Sequence, residues 1–236
     1  MLDLKLKFTD EQNQKIVDAI LIGLKSYFAE RKIKKDEMLV SAGYAWTRSN
    51  HIDSALGNEL KSLEISYEVK KIAAWEYLQF AIADEKVLFL VKCPSFTEKF
   101  QKNEKNGKQH YIREYAKSND NLIKSDDFQE QVVAKQLQLQ LDGIPESIGE
   151  IEGIDKSYII VYKIGSVGMI ESIKSYLPNS SGKMYEVDDL TNYIEQSQHT
   201  FTEEDAAIAE DVFKDAPDDN SHEFEVVGKL KSSIKR

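Results

Sequence analysis

Glu68-Val69-Lys70 is the pair in this sequence best spaced for catalysis. An acid and a lysine two apart on a strand project from one face. There a carboxylate can hold a divalent metal while the ammonium orients a water or stabilises charge at phosphorus. A second group is basic: Lys99, Lys102, Lys105, Lys108, His110, Arg113, Lys117 and Lys124 fall within 26 positions. At helical spacing His110, Arg113, Lys117 and Lys124 form one stripe beside an apolar stripe of Ile112, Tyr115, Leu122 and Ile123. Such a stripe can neutralise phosphates with release of counterions, although Glu98, Glu104, Glu114 and Asp120 dilute its field. The third group is residues 43–51, where Tyr44, Trp46, Arg48 and His51 offer stacking and bidentate contacts to a base or a partner protein. The same residues also read as the start of a helix, with Ser49 as its cap and the aromatics packed against it.

The Glu-x-Lys of residues 68–70 resembles the final element of the restriction-endonuclease-like nuclease core. The resemblance implies metal-dependent cleavage of nucleic acid with Glu68 and Lys70 as its site. That core also carries an acid at the end of the preceding strand, whereas here the preceding element reads as a helix. The nearby acids Asp53, Glu59 and Glu64 do not fit that pattern. Other signatures fail outright. There is no Gly-x-Gly-x-x-Gly, and residues 179–183 lack both the first glycine and the Ser or Thr of a phosphate loop, so they read as a hairpin turn. Residues 165–168 do not have the spacing of a nucleophile elbow. The four histidines are scattered without zinc spacing, and Cys93 reads as a buried structural thiol. No cofactor or metal is called for.

The elements that must position these groups follow from periodicity. Residues 2–8 alternate as a short strand, and Thr9 with Gln12 forms a capping box opening a helix that runs to about Arg31. A second helix starts at Ser49 or Asn50. Alternation at 65–70, then 75–83 and 87–92, predicts a three-stranded antiparallel meander with a hairpin turn at 83–86, stopped by Pro94. Residues 96–124 read as helix broken near Gly107, and 137–141 as a strand. Strands are expected at 158–164, 169–177 and 183–187, and a last short helix is expected to be capped by Asp188 or Asp189. Helices segregated from a sheet built of a meander plus C-terminal strands make an α+β fold, with the sheet expected to be antiparallel.

Charge divides the chain unevenly. Residues 1–125 hold 21 Lys+Arg against 18 Asp+Glu, and residues 126–236 hold 10 against 23, within a net charge of −10. We therefore expect a mildly basic region at 1–125, an acidic β-rich region at 126–200 that can share its core, and a mobile acidic tail at 201–236 with a short helix at 203–213. One cysteine excludes a disulfide scaffold, and no apolar run approaches the length of a membrane span. The sequence thus reads as cytoplasmic and as contacting no membrane. The expected function is a non-catalytic binding protein of a bacterial or bacteriophage accessory system. It would contact nucleic acid or a nucleic-acid-handling enzyme through Trp46, Arg48, His110, Arg113 and Lys117. Two alternatives stand beside it: an acidic inhibitor that imitates nucleic acid, active in anti-defence or regulation, and the metal-dependent nuclease.

Overall fold

The computed structural model describes residues 6–72, 75–94, 111–125, 128, 153–166 and 168–214. The expected strand at 137–141, the basic positions 99–110 including His110, and the tail beyond 214 lie outside the described residues. Helix α1 spans Asp10–Glu37. Its capping box forms as read: the Thr9 hydroxyl accepts from the Gln12 backbone N–H, and the Gln12 side chain accepts from the Thr9 N–H. Asp10 and Glu11 add negative charge at the helix N-terminus, where the dipole favours it. The helix outruns its expected end at Arg31 because the last two turns hold good helix formers, and Lys35 donates to Asp211 at 2.9 Å.

A 3-10 turn, Ala42–Thr47, leads into α2, Arg48–Glu59. The two helices cross closely at Gly23, where an added Cβ would lie 2.5 Å from the Ile52 Cα. Strands β1 (Ser66–Ile72), β2 (Trp75–Ile82) and β3 (Val87–Lys92) form the expected meander. The turn between β2 and β3 places Lys86 at φ 51, with its N–H donating to the Ala83 carbonyl.

Short helices α3 (Tyr111–Ala116) and α4 (Asp120–Ile123), joined by one 3-10 turn, lead to β4 (Lys156–Ile164). Strands β5 (Ile170–Pro178) and β6 (Met184–Asp189) complete one six-stranded sheet in chain order. All its pairs are antiparallel except β3 with β4, which run parallel from Val87↔Lys156 to Lys92↔Val161. The fold is therefore α+β with a mostly antiparallel sheet. The expected α+β fold with an antiparallel sheet is thus present, with one parallel junction added to it. That junction follows from the helical crossover through α3 and α4, since parallel neighbours need a long connection.

Two expectations are corrected. Of the strand expected at 2–8, residues 2–5 lie outside the described residues and 6–8 form no strand, yet Leu6 and Phe8 are buried while Lys7 is exposed, and Phe8 packs against Phe89 and Tyr158. The alternation marks a buried side without a ladder. The last short helix, α5 (Tyr193–Gln196), is not capped by an aspartate side chain; Asp189 instead accepts from Thr191 in the preceding turn.

Helix α6, Glu203–Lys214, buries Ala209 and Val212 against Leu24, Tyr27 and Phe28 of α1. The folded body thus reaches Lys214 rather than ending near residue 200. The larger core joins α1 and α2 to β2, β3, β4 and β5 through side chains such as Ile16, Leu56, Phe80, Phe89, Ile160 and Leu177. Beneath the sheet, buried Asn119 ties the crossover to it, donating to the Ser157 and Pro178 carbonyls and accepting from the Ser157 N–H.

Candidate functional site

The sheet parts at one end. β1 stays paired with β2 to Ile72↔Trp75, and β3 stays paired with β4 to Lys92, but the β2–β3 ladder stops at Phe80↔Phe89. Tyr77–Gln79 and Leu90–Lys92 therefore face one another without ladder bonds. This gap lies at the carboxyl ends of β1, β3 and β4. Here β3 ends, and Pro94 prevents it from continuing.

Groups from five elements meet at the gap. Lys92 ends β3 with its Nζ 4.7 Å from the centre of the Tyr77 ring, a cation–π geometry. Asp53, on α2, accepts from the Leu78 backbone N–H at 3.4 Å, filling the place a β3 carbonyl would take. Burial pushes the Asp53 carboxyl up to about 6, against the opposing pull of Lys92 and the Leu78 N–H. Burial likewise lowers the Lys92 ammonium, which Asp53 and Cys93 resist. Tyr162, fully buried near the end of β4, is raised by burial and by the Cys93 and Asp53 charges, while the charge and hydrogen bond of Arg48 lower it. Arg48, the first residue of α2, thus belongs to the same cluster. On the far side Tyr115, of α3, donates to the side-chain Oε1 of Gln79 at 2.5 Å.

The sequence-derived residues divide accordingly. Arg48 and Arg113 are half-buried; the first lies in the cluster, and the second stands two positions before Tyr115 on α3. Lys117 is exposed in the 3-10 turn that follows, so the pair keeps the order of the expected stripe. Trp46 is half-buried in the turn before α2. His51 belongs to the packing of α2 on α1: its ring nitrogens lie 3.0 Å from the Ser26 hydroxyl and 3.1 Å from a Glu30 carboxylate oxygen.

Glu68 and Lys70 sit on β1, at the edge of the sheet, paired with each other at 2.5 Å. The element before them is helical, so no preceding strand supplies an acid. Among the described residues no group of three or more His, Cys, Asp or Glu is arranged to hold a metal ion. The lysine that reaches the sheet interior is Lys92, and the residue two before it is Leu90.

Sequence reasoning missed Asp53 and Lys92 as members of one site. They are 39 positions apart, and only the strand register and the packing of α2 bring them together. A local signal existed in a lysine closing an otherwise apolar strand, Val87-Leu88-Phe89-Leu90-Val91-Lys92. No helix among the described residues is long and apolar enough to cross a membrane. Comparisons with protein-family models, with curated proteins and with solved structures give no match.

Proposed function

We propose that this protein is a non-catalytic binding protein that contacts the phosphate backbone of nucleic acid where β2 and β3 part. The observation that carries the reading is the gathering of Lys92 and Arg48 at that gap; Arg113 and Lys117 lie on the crossover, which Tyr115 bonds to Gln79 and Asn119 bonds to Ser157 near the start of β4. In open parallel α/β sheets ligands bind outside the carboxyl ends of the strands, where connections diverge, and the one parallel pair here, β3 with β4, ends at the gap. Asp53 supports the reading as a positioning residue. Its carboxylate, bonded to a backbone N–H, lies close enough to Lys92 to favour the charge of the lysine. Arg113 and Lys117, four apart, reach neighbouring phosphates, and Trp46 lies at the start of the helix that carries Arg48.

The test is fluorescence anisotropy with labelled single- and double-stranded DNA and RNA across salt concentrations. Phosphate contact makes log K fall linearly with log salt, by about 0.9 per contact on duplex DNA. Arg113→Glu with Lys117→Glu then removes about two contacts from that slope. A second reading has its own support: α6 leaves Glu203, Glu204 and Glu210 exposed while Ala209 and Val212 face α1. Carboxylates on such a face suit an inhibitor that imitates nucleic acid. Absence of binding to every nucleic acid at low salt favours that reading.

A further inference from the structure

We propose that β1 is a homodimerisation edge, pairing antiparallel with β1 of a second copy about a twofold axis through Val69. Among the described residues β1 pairs only with β2, so its outer N–H and C=O groups face outward along seven residues. All seven are in register with β2 without a bulge, so the edge is regular enough to act as a template for another strand. Proteins commonly blunt such edges, yet this one exposes apolar side chains. Val69 is 60% exposed and Tyr67 38%, although Tyr67 also leans on Gly57 and Phe80.

Charge selects the occupant. In antiparallel pairing centred on Val69, each Glu68 stands opposite the second copy's Lys70, and each Tyr67 opposite its Lys71. Val69 meets Val69. Directly opposed side chains on one face lie about 5 Å apart at Cβ, close enough for ion pairs to form or like charges to repel. Sliding the register by two residues opposes Glu68 to Glu68 in one direction and Lys70 to Lys70 in the other. The sequence Tyr67-Glu68-Val69-Lys70-Lys71 is therefore complementary to itself in one register and repulsive in its two neighbours. A twofold contact requires this kind of self-complementarity. The Glu68–Lys70 pair within each strand needs only to exchange partners across the axis. The two sheets then join into one.

The experiment is sedimentation velocity of the full chain over a hundredfold concentration range, with four proteins: wild type, Glu68→Lys, Lys70→Glu, and the double swap. Circular dichroism confirms that each is folded. The wild type is expected to dimerise. Each single variant places like charges opposite one another twice per dimer, and dimerisation is expected to weaken at least tenfold. The double swap restores opposite charges in the same register and is expected to dimerise like the wild type. An equimolar mixture of the two single variants is expected to form the heterodimer. A wild type that stays monomeric throughout overturns the proposal. A dimer indifferent to the single variants, or one that the double swap fails to restore, overturns it equally.

Discussion

Replacing Asp53 by asparagine isolates the charge at the centre of the gap. The carboxyl is raised from its ordinary value near 3.8 to about 6, chiefly by burial. Below pH 3.8 it is protonated in the folded and unfolded chains alike and contributes no pH dependence. Between 3.8 and about 6 the folded chain holds more protons than the unfolded one, so stability falls as pH rises. Above about 6 the carboxylate is charged in both states and the whole penalty, about 3 kcal/mol, is present. The amide of the variant keeps an oxygen for the Leu78 N–H and does not titrate. The stability of the Asp53→Asn variant minus that of the wild type should therefore rise by about 2–3 kcal/mol between about pH 3.5 and 7. Urea unfolding at half-unit pH intervals measures this difference. A carbon-detected titration of the Asp53 carboxyl gives the pKa directly, and Lys92→Met should raise it further by removing the charge that opposes burial. A flat difference across the window, or a carboxyl titrating near its ordinary value, refutes the reasoning.

The remaining predictions concern the frame around the site. Asn119→Ala leaves three buried backbone groups without their side-chain partner; it should cost about 3 kcal/mol, a fall of roughly 6–12 °C in Tm by calorimetry. Gly23→Ala sets its Cβ against the backbone of α2 and should cost about 2 kcal/mol by urea unfolding, more than alanine's helix propensity returns. A chain ending at residue 202 uncovers Leu24, Tyr27 and Phe28. It should be less stable, by about 2–3 kcal/mol, than one ending at residue 214.

The parts of the fold that were legible in the sequence are those set by neighbours along the chain. Thr9 and Gln12 bond each other's backbone three positions apart, so the start of α1 could be read to the residue. The meander was legible because alternation at 65–70 and the turn at 83–86 are short-range. What escaped depends on distant partners. Nothing local says that Val87–Lys92 pairs parallel with a strand beginning at Lys156, because the register is set by the crossover and a buried Asn119. The burial of Ala209 and Val212 was hidden by the acids around them, two of which, Asp205 and Asp211, pair with Lys25 and Lys35 of α1. For the site, Arg48 was singled out in the sequence for its side chain, and in the structure it lies by Tyr162. The group that organises the gap, Asp53, looked like one surface acid among many until α2 was placed over Leu78. Glu68 and Lys70 had the right spacing for chemistry but lie on an edge strand, where they pair with each other.

The most direct test of phosphate contact at the parted end of the sheet is the salt dependence of nucleic-acid binding. It is measured by anisotropy for the wild type and for Arg113→Glu with Lys117→Glu, after circular dichroism confirms the folded state of both. Log K should fall linearly with log salt for the wild type, and the double variant should bind more weakly with a slope smaller by about 2 in magnitude. Equal slopes and affinities in the two proteins, or no binding by the wild type at low salt, would contradict the account.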